Sequence, residues 1–260
     1  MIDSHCHLDF DIFDTSRPLL IEAMVRAGVD HCVVPGVAAA AWEDLLCVVN
    51  DFKQCSSALG LHPYFIADHR EQDLQRLDQL LGEHENIVAV GEIGLDATLM
   101  AGFASEQQYY FEQQLVLAKR HNLPVIIHAR GCFDQVAATI RRSHFNQGGI
   151  VHAFTGSLQQ GVKLAELGFK LGIGGAVTHP RARKLRQTVA ALAPDCIALE
   201  TDSPDMRPAF VHHDSPNMPT LLPLIAAVVA EIRGTSATAI AAQSDANILS
   251  ALPRLQRVAG

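Results

Sequence analysis

His5 and His7 stand two positions apart, Glu92, His128 and His152 each end a short apolar run, and Asp202 follows another. Imidazole and carboxylate groups are the natural ligands of zinc, manganese and similar divalent ions. On an extended strand, residues i and i+2 point to one face, so both N-terminal imidazoles reach one cation while Cys6 points away. Glu92 closes Val88-Ala89-Val90-Gly91, where a carboxylate needs partners or water. Its two oxygens suit a bridge between two cations; a salt bridge across a barrel mouth is the plainer alternative. His128 ends Pro124-Val125-Ile126-Ile127 and His152 ends Gly149-Ile150-Val151. Each alone reads as a hydrogen-bonded histidine; together they read as the two nitrogens of a second metal position. Asp202 can bind metal, orient an attacking water or accept its proton, or simply cap a helix before Pro204. His62 is a possible neighbour of this set. A divalent ion makes water a nucleophile near pH 7, and two ions roughly 3.5–4 Å apart stabilise attacking and leaving oxygens together. That serves phosphoester hydrolysis, and equally amide or lactone hydrolysis, so the ligands alone do not choose a substrate.

These donors are scattered from position 5 to position 202. They meet only if the fold gathers strand ends at one place. Short apolar runs at 2–7, 31–35, 57–61, 87–93, 125–128, 150–152, 170–173 and 196–200 predict eight strands buried on both faces. Amphipathic stretches lie between them: 105–121, with Phe111, Leu115 and Ala118 on one stripe, then 157–167 and 181–192. Alternation of strand and helix predicts an α/β fold with a parallel sheet. A TIM-type (β/α)8 barrel brings its strand C-termini to one rim, whereas an open doubly wound sheet gathers them less readily. The length of 260 residues is close to the ~250 of one such barrel. The chain therefore reads as a single domain, 1–260. Two further helices are predicted at 220–233 and 236–251; the second is additional to the eightfold pattern and is expected to pack on the outside. The segment 204–219, with prolines at 204, 208, 216 and 219, is expected to overhang the pocket.

Composition narrows the function. Hydrophobic residues make up 48% and charged residues 18%, which excludes a disordered chain. No apolar run reaches the roughly 18 residues of a membrane span, and no signal-like amino terminus is present, so a cytoplasmic location is expected. None of the six cysteines forms a C-x-x-C pair, and Cys32 and Cys196 lie in strand-like runs, as reduced buried thiols do. The net charge of −8 disfavours gripping long nucleic acid by counterion release, and favours a small substrate or a strand end.

The motifs Asp3-Ser4-His5-Cys6-His7-Leu8-Asp9, Gly60-Leu61-His62-Pro63, Gly91-Glu92-Ile93-Gly94-Leu95-Asp96 and Glu200-Thr201-Asp202-Ser203-Pro204 together resemble the TatD family of metal-dependent deoxyribonucleases, within the amidohydrolase superfamily, and its bacterial YjjV-type branch in particular. The similarity runs from Met1 to about Leu249. It implies two divalent cations (zinc, manganese or magnesium). His5, His7 and Asp202 would hold the first, His128 and His152 the second, with Glu92 bridging. It implies hydrolysis of DNA phosphodiester bonds from a 3′ end, on single strands or ends, with Asp202 and Glu92 catalytic. His62 is carried over as a substrate-phosphate contact or outer group, with a turn histidine fixed by Pro63 as the alternative. Arg130 is a candidate phosphate contact, with a rim ion pair as the plainer explanation. No membrane and no obligate protein partner is implied.

Two segments depart from the family pattern. Ala97 and Thr98 follow Asp96 where aromatic residues are common, which removes a stacking platform for a base. The late loop reads His213-Asp214-Ser215-Pro216-Asn217 in place of Arg-Asn-Glu-Pro, which removes a cation near the pocket. These changes leave room for a small-molecule phosphoester, amide or lactone hydrolase on the same metals, and for a metal-holding scaffold without turnover. Asp96 and Asp9 read as outer supports, Asp9 equally as a helix-start residue. His179 reads as a helix-start residue, His212 and His213 as exposed, and Trp42 as a packing anchor. Gly172, Gly174 and Gly175 read as sites of close backbone packing rather than a phosphate loop.

Overall fold

The β-branched and small apolar runs form eight short parallel strands in a computed structural model that describes residues 1–99 and 101–255. They are β1 (Ile2–Asp3), β2 (His31–Pro35), β3 (Cys55–Leu59), β4 (Ile87–Asp96), β5 (Val125–Arg130), β6 (Gly149–Val151), β7 (Phe169–Ile173) and β8 (Ile197–Leu199). Each pairs in parallel with the next, in the order β1 to β8. The crossovers are α1 (Arg17–Arg26), α2 (Trp42–Asp51), α3 (Glu71–Glu83), α4 (Ala104–Arg120), α5 (Phe133–Arg142), α6 (Leu158–Glu166) and α7 (Arg183–Ala191), followed by α8 (Leu222–Arg233) and α9 (Ala237–Ala251). The expected (β/α)8 barrel with a C-terminal helix is therefore present. The expected span 1–260 includes Met100 and residues 256–260, which lie outside the described residues. No single helix among the described residues is long and apolar enough to cross a membrane.

Several strand limits differ from the expectation. The first run, expected to be a strand to residue 7, pairs only over Ile2–Asp3. Beyond it the regular ladder ends: Ser4 N donates to Leu199 O across the barrel seam at 3.1 Å, and Cys6 N returns to Val33 O of β2 at 3.0 Å. The fourth run is longer than expected: Ile93–Asp96 stay paired with Ile127–Arg130, after a register shift between Val90 and Ile93. Glu92 and His128 thus sit within strands rather than at their ends. The third strand starts earlier, at Cys55, because Cys55 pairs with Cys32. Cys196, expected in the eighth strand, belongs to a 3-10 turn opened by Pro194.

The packing has two parts. The larger core lies between strands and helices and includes Leu45, Phe111, Val136 and Val229. Trp42 anchors it, 1% exposed, with its indole N–H donating to Gly60 O. A smaller cluster fills the barrel where the strands begin: Ile2, Val33, Ala58, Val88, Ile126, Ile150 and Ala198 meet Ile248, Ala251, Leu252 and Leu255. This corrects the expectation that the last helix packs on the outside. It plugs the lower end of the barrel and serves the β8–β1 seam. Ser244 Oγ accepts from Leu199 N at 2.8 Å, and Asp245 Oδ1 accepts from Ile2 N at 2.7 Å. Asn247 Nδ2 donates to Pro194 O and Ile197 O, both at 2.8 Å. Strand edges left unpaired at a seam need such donors and acceptors.

Candidate metal centre

At the opposite rim, all six expected donors converge. His5 Nε2 and His7 Nε2 lie 3.3 Å apart. Asp202 Oδ1 lies 3.5 Å from the first and 3.6 Å from the second. Glu92 Oε2 faces the same pair, at 3.2 and 3.8 Å. The other oxygen of Glu92, Oε1, faces a different group: His152 Nε2 at 2.8 Å, His128 Nδ1 at 3.0 Å and His62 Nε2 at 3.0 Å. His128 Nδ1 and His152 Nε2 are themselves 3.3 Å apart. One carboxylate therefore divides two clusters of ring nitrogens.

Distant parts of the chain hold these side chains. His5 and His7 leave β1 on irregular backbone, pinned by Asp3, whose oxygens accept from Thr201 N at 2.9 Å, Thr201 Oγ1 at 2.5 Å and His5 N at 3.2 Å. Asp202 N donates to His5 O at 2.8 Å, so the β8 end is tied to the β1 end. Asp202 has φ +58° and opens no helix, so the helix-capping alternative is not met. The His5 ring stacks on His152, with centroids 3.9 Å apart, and His7 stacks on Phe10 at 4.5 Å. His62 caps the 3-10 turn Pro63–Phe65, its Nδ1 accepting from Tyr64 N at 3.0 Å. The turn reading and the neighbour reading of His62 thus describe one geometry.

Four supports escaped the sequence reading. Glu200 is fully buried; its Oε1 accepts from Ala153 N at 2.6 Å and lies 3.7 Å from His152 Nδ1. Gly172 leaves it room, since a Cβ there would stand 2.1 Å from Glu200 Oε2. Asp3 is the second. Both lie inside recognised motifs, and a charged residue within an apolar run was the available signal. Gln107 and Gln114 are the others, buried on the apolar stripe of α4. Gln107 Oε1 accepts from Asp96 N at 2.9 Å. Gln114 Oε1 accepts from Leu61 N at 2.7 Å and its Nε2 donates to Leu61 O at 3.2 Å. They fix the segments carrying Asp96 and His62. Asp96 Oδ2 in turn lies 3.2 Å from His128 Nε2, as a group orienting a ligand should.

The remaining candidates are placed as follows. Arg130 is exposed at the end of β5 and has no ion pair among the described residues, so the rim ion pair is not formed. Asp9 Oδ1 is buried without a hydrogen-bond partner among the described residues. His179 caps the turn Gly175–Thr178, and its Nε2 contacts Arg207 O at 3.0 Å. His212 and His213 are exposed. The 204–219 segment folds over the rim: Asn217 Nδ2 donates to Thr201 O at 2.7 Å, and Met206 lines the cavity of about 420 Å³ above His128, His152 and Asp202.

The electrostatics suit cation binding. Burial, then the neighbouring imidazoles, lowers His5 to about 4 and His7 to about 3, so both are neutral at pH 7 with lone pairs available. Burial pushes Glu92 up, but the surrounding imidazoles, His152 foremost, outweigh it and hold the carboxylate well below its usual range. The same carboxylate overcomes burial at His152 and raises it well above its ordinary value. His128 is also raised, by Asp96 and Glu92 against burial. Asp202 is raised well, by burial first. Four donors around a zinc-sized ion at 2.0–2.1 Å stand roughly 3.3–3.4 Å from one another in a tetrahedron. The spacing of 3.2–3.8 Å in the first cluster matches that. The donor set thus fits divalent cations, and His5, His7 and Asp202 on one side and His62, Glu92 and His128 on the other could each hold one.

Known proteins agree with this frame. Residues 2–253 match the family described as TatD related DNase. An uncharacterized metal-dependent hydrolase of Escherichia coli, YjjV, is 39% identical over 92% of this chain and 93% of its own. Its crystal structure superposes with a TM-score of 0.94, covering 97% of this chain and 98% of that one, at 37% identity. A protein of Cronobacter sakazakii named 3′-5′ ssDNA/RNA exonuclease TatD is 30% identical over 95% of both chains. The chain belongs to the TatD family of metal-dependent hydrolases.

Proposed function

We propose that this hydrolase removes nucleotides from the 3′ ends of single-stranded nucleic acid, DNA in the first place, with two divalent cations (zinc, manganese or magnesium). His5, His7 and Asp202 would hold one cation, His128 and His152 the other, and Glu92 would bridge. The observation that carries this reading is the division of Glu92, with Oε2 3.2 Å from His5 Nε2 and Oε1 2.8 Å from His152 Nε2. The name of the Cronobacter relative supports the substrate class. When bound, such cations supply charge neutralisation at the phosphate and a lowered water pKa.

The chain's own groups do the rest. Asp202, its carboxyl raised by burial, accepts the proton of the attacking water. As the water oxygen bonds to phosphorus, the ester P–O bond to the leaving strand breaks. Glu92 keeps the two imidazole groups in register and balances their charge. His62, beside Glu92, and Arg130, free on the rim, bind the phosphate and orient it. The site is proposed to lie in one domain, residues 1–260. The free thiols, Cys32 and Cys55 with sulfurs 3.5 Å apart among them, fit work in a reducing cytoplasm.

The test is a chelator-stripped sample, reloaded with zinc, manganese or magnesium and given a 5′-labelled single-stranded oligonucleotide. A ladder shortening from the 3′ end is expected only after reloading. Glu92→Ala is expected to abolish it; undiminished shortening by that variant sinks the assignment. A small-molecule phosphoester, amide or lactone hydrolase is the second reading. It is favoured by Thr98, whose Oγ1 donates to Asp96 Oδ1 at 2.6 Å where an aromatic platform is common. Turnover of a small-substrate panel without strand shortening would select it.

A further inference from the structure

The rim of the barrel is electrostatically divided. The cavity over the donor cluster, with Arg130 on its wall, shares Met206 with a cavity of about 720 Å³ lined by Arg181 and Arg207. On its other side it shares Thr155 with a cavity of about 360 Å³ lined by Lys184. The three are therefore contiguous over the ends of β5 to β8. Their carboxylates, apart from Asp202 of the centre itself, are Asp205 and Asp214, and His213 Nε2 stands 3.2 Å from Asp214 Oδ2. Arg130, Arg181 and Lys184 have no hydrogen bond or ion pair among the described side chains. The cavity over the ends of β1 and β2, which meets the largest of these at Ile12 and Pro204, is the reverse: Asp9, Asp11 and Asp44 line it, with no lysine or arginine among the described residues.

We infer that a single-stranded nucleic acid lies along the β5–β8 half of the rim, its phosphates running from Lys184 past Arg130 to Arg181 and Arg207, with the acidic β1–β2 half excluding it. This rests on the proposed reading of the centre as a nuclease and extends it from the reacting phosphate to its neighbours. In a chain of net charge −8, four cations on one half-rim localise attraction that the whole protein lacks. Unpaired cations bind a polyanion without first giving up a partner. Each phosphate contact made to a single strand adds about −0.7 to the slope of log affinity against log salt.

The test measures strand binding to the metal-loaded full chain by anisotropy, with a fluorescent phosphorothioate oligonucleotide over a salt series. The same samples are assayed for turnover of bis(p-nitrophenyl) phosphate, which carries one phosphate. Arg181→Glu with Lys184→Glu is expected to weaken strand binding about tenfold at low salt and to flatten the slope by about 1.4, two contacts being lost. It is expected to affect the small diester far less. Asp11→Asn with Asp44→Asn is expected to strengthen strand binding at most about twofold. The inference is overturned if the wild-type chain binds no strand at low salt, if the slope is unchanged in the first variant, or if both substrates weaken equally. Failure of the nuclease reading looks different: the phosphorothioate strand binds with the expected salt dependence, yet the wild-type chain cleaves neither an unmodified strand of the same sequence nor the small diester.

Discussion

Asn247→Ala should unfold the barrel more easily than a change on a peripheral helix could. The amide of Asn247, 4% exposed, donates to Pro194 O and Ile197 O, both at 2.8 Å. Its oxygen accepts from Gln243 at 2.9 Å. Each lost hydrogen bond removes about 0.5–1.5 kcal/mol, and a buried carbonyl left without a donor costs about 1–3 kcal/mol. The Ile197 carbonyl is buried and would be left without this donor, whereas the Pro194 carbonyl is only partly buried and loses just the bond; together they set the expected loss at about 2–4 kcal/mol, a large part of the ~5–15 kcal/mol by which domains are stable. Leu252→Ala, at a fully buried position of the lower plug, should cost a similar ~2–5 kcal/mol through the cavity it leaves. Urea unfolding followed by circular dichroism and by the fluorescence of Trp42, the sole tryptophan, checks both. The two signals should move together, because the last helix and the barrel form one cooperative unit. A loss below about 1 kcal/mol for both variants, or an early dichroism transition with Trp42 undisturbed, would refute the account of α9 as plug and seam.

Gly172→Ala should weaken metal retention about 10–100-fold by displacing Glu200 from behind His152; equal retention against a competing chelator speaks against that support. Gln107→Met keeps the volume of the side chain but loses both hydrogen bonds to the Asp96 backbone. It should lower occupancy beside His128 more than beside His5 in anomalous diffraction, and equal loss contradicts the positioning role. Thiol alkylation should follow burial and pH: at pH 8 only the exposed Cys47 should react quickly. Burial pushes Cys6 well up and Cys132 to about 11, while the Cys55 thiol and then burial raise Cys32. Because the thiolate is the reactive form, Cys132 should gain reactivity only as pH approaches 11; rapid labelling of Cys132 at pH 8 by mass spectrometry would contradict its burial.

Much of this protein is written locally. Apolar runs such as Val125-Ile126-Ile127 and stripes such as Phe111, Leu115 and Ala118 fix strand, helix and their alternation, because both periodicities depend only on near neighbours. The identity of the six expected donors was equally legible, since imidazoles and carboxylates are conspicuous beside apolar runs. Closure decided the rest. Which oxygen of Glu92 meets which histidine depends on how β4 lies against β1, β5 and β6, and no local pattern encodes that. Gln107 and Gln114 look like flaws in an apolar stripe until α4 packs against the segments holding Asp96 and His62. Ser244, Asp245 and Asn247 read as an ordinary polar patch until they face the unpaired edges of β8 and β1. A backbone group's need for a partner becomes visible only when the tertiary structure shows that no neighbouring strand supplies one.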